Sequence, residues 1–371
     1  MHIRIYLFLF SGFILLFLAC STNNQESSEY IDLEKLSKER PTQFMQTDHA
    51  DNIFFDHLNY ATTVKENGNT IINDRPQAVI LEINPEGELV EIVASKGQGP
   101  GEIQDASRLS AGLNESLVIF DQRNYKIVQY DLNNRSHYEF LPFQPDQYRI
   151  RSAHALHDPD LFLIVEWKPS ALSNPGEDFT NRIVIYNQES DSILARHTYP
   201  DRVFARQIIE GAVRGGAPVP YSPALHFSTS NNNKSIYISW SEHNEIAELD
   251  LSLDTLRTIP VPLELKQLAK SEIDSIEQSY KDMRPSPWEF IKPLLPNEKV
   301  AYEGMIIDHL DRIWLKLTYQ SEWQDWLILS NDGTPQKIVQ LPKEGMLTHV
   351  SEHHLGFREN DYTFSLYEAV D

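Results

Sequence analysis

Beyond about residue 50 the chain runs as short apolar stretches with β-like alternation, parted by polar breaks rich in Asx and Gly. The stretches recur as a unit. Its clearest copy has apolar runs at 115–121, 126–131 and 136–140. An earlier copy has them at 69–74, 78–83 and 89–93, with an Asn84-Pro85-Glu86-Gly87 turn before the last. Later copies begin with the pairs 161–166 and 182–186, 235–240 and 245–250, and 312–317 and 325–329. The turn after each middle run falls at Asn84, Asp131, Asn187, Asp250 and Ser330, in steps of 47, 56, 63 and 80 residues. This is the period of about 40–50 residues expected of propeller blades, lengthened by insertions. A sixth, incomplete copy at 353–357 and 362–367 ends the chain.

Each copy is preceded by another short run, as at 58–64 and 302–307, which makes the unit a four-stranded antiparallel blade. The pattern predicts an all-β, six-bladed β-propeller. The last copy shows three strands, so closing the ring requires one from the N-terminal segment, within 30–56. The best helical pattern spans 263–283, where Leu265, Leu268, Ile273, Ile276 and Tyr280 fall near helical spacing, and Pro285, Pro287, Pro293 and Pro296 end it. It predicts a short helical insertion in the ring.

The N-terminus departs from this pattern. A basic start, Met1-His2-Ile3-Arg4, leads into an apolar run from Ile5 to Leu18 broken by Gly12. The run is shorter than the about 20 residues that span a bilayer, and it ends on Ala19, as a secretory signal does. The only cysteine, Cys20, follows at the cut. Leu16-Phe17-Leu18-Ala19-Cys20 resembles the bacterial lipoprotein lipobox, with Phe17 where the common pattern has Leu or Val. The resemblance implies that the Cys20 thiol takes the lipid, a palmitate-type acyl anchor, and becomes the first mature residue. The polar stretch after it cannot bury anything and reads as a tether. The expected organisation is a signal peptide at 1–19, a polar tether at 20–40 and the propeller at 41–371. The expected location is the cell envelope, lipid-anchored, at the outer membrane facing the periplasm or the cell surface.

Ser95-Lys96-Gly97-Gln98-Gly99-Pro100-Gly101-Glu102-Ile103 resembles the G-x-G-P-G-E-F linker of bacterial six-bladed, NHL-like β-propeller lipoproteins. The strand pattern on either side and the Asp311-Arg312-Ile313-Trp314-Leu315 unit fit the same family. Ile103 stands where Phe is usual and keeps an apolar plug. The resemblance implies a propeller fold and export, and carries no catalytic residues. The alternating Gly97, Gly99 and Gly101 do not make a phosphate loop, because no Lys-Ser/Thr follows and Glu102 repels phosphate. Gly97, Gly99, Pro100, Gly101 and Glu102 instead read as a structural crossover between blades.

Composition narrows the function. Of 371 residues 41% are hydrophobic and 23% charged, which is globular. With 54 acidic against 32 basic residues the net charge is −22, which disfavours nucleic acid and an anionic membrane surface as partners. The single cysteine rules out an intramolecular disulfide. No nucleophile elbow, zincin or EF-hand motif occurs. His154 with His157, and the pair His353-His354, are the nearest approach to metal ligands, but thirteen histidines scattered along the chain make such pairs expected by coincidence. No catalytic residue, metal site or cofactor is assigned.

In an up-and-down blade, the loop after the second strand and the blade-to-blade crossover emerge on the same face. The long segments fall there: crossovers at 95–104, 199–222 and 263–300, and loops at 121–126, 167–181 and 318–325. Long loops are often functional. This face carries Arg75, Arg123, Trp167, Arg206, Arg214, Trp240, His243, Tyr319 and Trp323, residue types that anchor ligands. An arginine-and-aromatic mouth on an acidic body suits an acidic sugar, peptide or carboxylate. The leading expectation is a non-enzymatic binding or scaffold module, whose partners are the membrane through its lipid and an envelope protein, peptide or glycan. The alternative is a metal-dependent hydrolase, lactonase or lyase at the channel mouth, gathering Glu, Asn, Asp or His from several blades.

The lipid assignment is checked by fractionation. Cys20→Ala should leave the membrane fraction or stall in processing, and normal maturation with retention at the membrane would overturn the assignment.

Overall fold

The computed structural model describes residues 30–371 apart from 64–66, 113, 145, 171–173, 175–176, 282, 284–285 and 320. The expected signal peptide, the expected lipidation site Cys20 and the expected tether up to residue 29 lie outside the described residues. Six four-stranded antiparallel blades make a β-propeller. Blades one to five span 58–94, 106–140, 149–200, 225–260 and 302–342. Blade six takes three strands from 346–368 and its fourth from Gln43–Thr47, which pairs antiparallel with Phe364–Glu368. The closing strand thus lies within the segment that the sequence assigns to it.

The two middle strands of each blade are mainly apolar on both faces because each blade is packed between two neighbours. Val79–Ile83 is buried at every position. Its alternate residues serve different interfaces. Ile80, with Ile71, packs against Ile119, Val128 and Ile103 of the next blade. Leu81, with Ile72, packs against Met45, Phe364 and Leu366 of blade six. Similar clusters fill the interfaces between blades two and three, three and four, four and five, and five and six, so the core is an unbroken ring. Outer strands such as Leu89–Ala94 alternate half-buried and exposed positions, as expected with one face in water.

The crossover 95–104 is held by its own backbone. The Gly97 amide donates to the Ile103 carbonyl at 2.9 Å, and the Ile103 amide to the Ser95 carbonyl at 3.0 Å. The Glu102 carboxylate turns back to accept the Gly99 amide at 2.8 Å. A Cβ at Gly97 would fall 1.8 Å from that carboxylate, which is why glycine stands there. Ile103 is fully buried between blades one and two. Asp74 and Asp121 staple the same rim. Asp121 accepts the amides of Gln104 and Asp105 from the crossover, at 2.8 and 3.1 Å, and that of Arg123 from its own turn at 3.2 Å.

Two boundaries differ from expectation. Helix α1 is Lys270–Lys281 rather than 263–283. Leu263 is fully buried with Leu265 beside it in the core between blades four and five, which keeps that stretch extended, and Lys266–Gln267 pairs with Glu298–Lys299. The Glu272 carboxylate then caps the start by accepting the Ala269 amide at 2.9 Å. A short helix, Trp288–Ile291, forms among the prolines because Pro287 stands just before its first turn. Part of the segment that the sequence reads as tether is also packed on the propeller. Ile31 donates its amide to the Pro262 carbonyl at 2.8 Å, Leu33 and Leu36 pack on the core, and Lys38–Glu39 pairs parallel with Pro335–Pro342. Three apolar side chains in that segment are enough to dock it. No helix among the described residues is long and apolar enough to cross a membrane.

Leu366 is fully buried at the closing interface. Leu366→Ala should cost about 2–5 kcal/mol in denaturant unfolding while keeping one cooperative transition. A separate early transition for blade six would count against a mutually supporting ring.

Candidate functional site

The long connections occupy one rim of the disc. Crossovers and second-to-third-strand loops reach this rim, and the turns after the first and third strands lie on the other. Two of its crossovers carry structure of their own: the hairpin Phe204–Ile209 with Ala212–Pro218, and the segment containing α1. They meet in a small core in which Ala205, Val219 and Ile291 are buried and Tyr280, Phe290 and Leu295 pack around them. The Lys299 ammonium and the Glu272 carboxylate, both almost fully buried and 2.6 Å apart, tie α1 to the strand that returns to blade five.

All nine side chains nominated by the sequence are on this rim, yet six of them are already engaged with other residues of the chain. Arg75 pairs with Asp105 through bonds of 2.6 and 3.2 Å. Trp167 lies 5.8 Å from the Arg151 guanidinium, which also holds Asp201 at 3.1 Å. Arg206 stacks on Phe179 at 4.5 Å and donates to the Glu177 carbonyl. Trp240 donates to Glu242 at 2.9 Å, and Tyr319 to the Glu264 carbonyl at 2.8 Å. Arg40 covers Trp323 at 4.3 Å. Arg123, Arg214 and His243 are exposed, with no side-chain partner among the described residues. Tyr319 and Trp323 share a cleft of 270 Å³ with Glu272 and Lys316, and the other seven are distributed round the rim.

None of the nine lines the central channel. The crossovers feed each inner strand from the loop-rich rim, so its first residues face that mouth and its last the other. The half toward the loop-rich rim is a cavity of 410 Å³ lined by Tyr60, Arg108, Phe227, Lys316 and Trp326 among others. The half toward the opposite mouth is a cavity of 640 Å³ with His154, His309, His349 and His353 on its wall. Arg108 reaches across the channel between them. Its Nε donates to the Tyr60 hydroxyl at 3.1 Å, and its guanidinium lies 5.2 Å from the Tyr60 ring and 5.9 Å from Phe227 of blade four.

Four histidines, His154, His226, His349 and His354, are held neutral. Burial pushes His154 down to about 3, helped by the Arg108 charge, and His349 to about 3, helped by His354. Burial likewise lowers His226 and His354 to about 4. Their rings are packed structurally: His154 lies edge-on to Phe227 at 5.5 Å, and His354 bonds Thr70 Oγ1 at 3.0 Å. Among the described residues no group of three or more His, Cys, Asp or Glu side chains could hold a metal ion.

Neither a protein-family model nor a curated protein matches this chain. Solved structures with similar strand arrangements include the Bacteroides fragilis protein BF0058, at 12% identity and TM-score 0.48 over 90% of this chain and 99% of that one. A gluconolactonase of Xanthomonas campestris is similar at 11% identity and TM-score 0.43, over 85% and 88%. A streptogramin B lyase is similar at 12% and 0.38, over 82% and 77%. Likeness of this degree assigns no activity, and the fold stands on the strand pairing described above.

Reading the sequence missed Arg108 of blade two and Gln324 and Trp326 of one strand of blade five, which belong to no motif. Their one signal is position. Arg108 sits on an inner strand, the part of a blade that faces the channel.

The histidines set an acid limit. Their folded values lie below the unfolded value of about 6.5, so the unfolded chain binds more protons in between. Stability from this source is complete above about pH 6.5 and is lost as pH falls toward the folded values. The melting temperature should decline from pH 6.5 to 5, and His154→Gln with His349→Gln should make that decline shallower whatever the absolute stability. An unchanged slope would show that these histidines titrate normally in the folded state.

Proposed function

We propose that this chain is an exported, lipid-anchored β-propeller of the cell envelope, akin to the NHL-like lipoproteins, that acts as a binding module through its loop-rich rim. The leader and Cys20 support the export and anchoring. The observation that carries the binding reading is the one-sided placement of the long segments, two of which share a core of their own on that rim. Insertions that served no purpose would fall on either rim. A shared core keeps such a surface rigid, which lowers the entropy lost on binding.

The residues offered to a partner are those that the loops do not use: Arg123, Arg214 and His243. Each of these arginines, on a body of net charge −22, is an unpaired cation that suits a partner presenting carboxylates along the rim, whether acidic glycan or acidic peptide. The remaining arginines and aromatics of the rim shape the surface by bracing it.

The test is a glycan array and an envelope pull-down with the mature protein. Arg123→Ala with Arg214→Ala should weaken the captured partner about tenfold or more, with little change in melting temperature. Pro85→Ala and Asn331→Ala, in turns of the opposite rim, should leave it unchanged. Binding that responds to the turn variants and not to the arginine variants would overturn the reading.

A further inference from the structure

We infer that the tip of the hairpin Phe204–Ile209 with Ala212–Pro218 seats in the surface of a lipid bilayer and turns the sector of the loop-rich rim between blades three and five toward it. The carrying observation is an apolar tip on a strongly acidic body. Ile208 pairs across the hairpin with Val213, and Ile209 with Ala212, with Glu210 and Gly211 between them. Adjacent strand residues point to opposite faces, so the tip is apolar on both. Ile208 is 52% exposed and Ile209 47%. A Cβ added at Gly211 would meet nothing within 4 Å, so the tip stands clear of the other described residues. Turns that face water are built mainly from Gly, Pro, Asx and Ser, as 84–87, 187–190 and 330–333 on the opposite rim are. A hairpin that ends in two isoleucines departs from that chemistry.

The place where the chain enters the fold names the occupant. Ile31 donates its amide to the Pro262 carbonyl, at the start of the crossover from blade four to blade five, and the exposed Tyr30 precedes it. That crossover carries α1, shares its small core with the hairpin, and exposes Met283 and Leu294 as well. Ten residues part Tyr30 from Cys20, so even fully extended they hold the expected lipid within about 36 Å of this sector. This step rests on the anchoring proposed above. A tether makes the contact intramolecular in effect, so two isoleucines suffice where they would not hold a free protein. Fluid lipid surrounds a tip that is apolar on both faces, whereas a flat protein surface covers one. Glu210 and the unpaired edges of a two-stranded hairpin keep the insertion at the hydrated interface rather than the hydrocarbon centre. A net charge of −22 makes the fitting bilayer a zwitterionic one. Blade two lies across the ring from blade five, so Arg123 stays away from the bilayer and open to a rim partner.

The test couples the mature chain through Cys20, its only cysteine, to phosphatidylcholine vesicles that carry a maleimide lipid. The coupling supplies the tether whether or not the cell acylates Cys20. Ile209→Trp places a reporter on the tip, and Leu310→Trp places the same reporter on an exposed turn of the opposite rim. The second variant controls for the affinity of tryptophan itself for membrane interfaces. Lipid brominated near the top of its acyl chains should quench the emission that Ile209→Trp adds to the parent protein, at a depth of about 5–10 Å. The emission that Leu310→Trp adds should be unchanged. Ile208→Trp serves if Ile209→Trp does not fold. Equal quenching at the two rims, or none at the tip, would overturn the inference. So would a dimer of the uncoupled chain that Ile208→Ser with Ile209→Ser dissolves, because the occupant of the tip is then a second copy. Fractionation of Cys20→Ala tests the anchor, and partner capture by uncoupled protein tests the rim, so each reading fails separately from this one.

Discussion

Antiparallel pairing of Gln43–Thr47 with Phe364–Glu368 joins residues more than three hundred positions apart, and every other interface of the disc is conditional on it. A blade is apolar on both faces and is stable only between two neighbours. An open row of six would leave two such faces in water, together with an unpaired strand edge. The single added strand covers the edge, and the Met45 and Leu366 side chains seal the first interface against the last. The two-sided burial of strands such as Val79–Ile83 is tolerable in sequence because of this closure.

Closure also divides the surface. Antiparallel order sends all crossovers to one rim, so insertions there disturb neither the ring nor the channel's inner strands. The hairpin and α1 could grow on that side provided they found each other, which Ala205 and Tyr280 record. The rim's arginines then divide into braces and free groups. Arg75, Arg206 and Arg40 hold loops by pairing or stacking, whereas Arg123 and Arg214 extend from loops already fixed by other contacts. The buried carboxylates Asp74 and Asp121 act at the next level down, fixing the turns from which such side chains depart.

Much of this was legible in the sequence because it is periodic. Blade count, strand order, the crossover at Gly97 to Ile103 and the source of the closing strand all follow from alternation and spacing, which are local properties. The helix start was misplaced because Leu265 falls near helical spacing with Leu268 but belongs, with Leu263, to an extended core contact, a tertiary override of a local pattern. The N-terminal segment was read as tether because its polar average hides Ile31, Leu33 and Leu36. At the candidate site the sequence located the rim and selected residue types, yet could not tell Trp167, engaged with Arg151, from the unengaged Arg214. Arg108 was illegible for a different reason. Its meaning comes from Tyr60 and Phe227, which meet it from two other blades, and convergence from separate blades leaves no spacing to read.

Building the ring from its two ends has a consequence for biogenesis. A polypeptide made from its N-terminus presents Gln43–Thr47 before any blade and Phe364–Glu368 only after the other five blades. Through nearly all of its synthesis the chain carries a strand whose partner does not yet exist. Blades can form in order, but their joint stability arrives in one final step. A ribosome that stops early, or a protease that trims the last few residues, therefore yields an open stack with exposed strand edges rather than a smaller propeller, and so a species that chaperones and proteases can recognise.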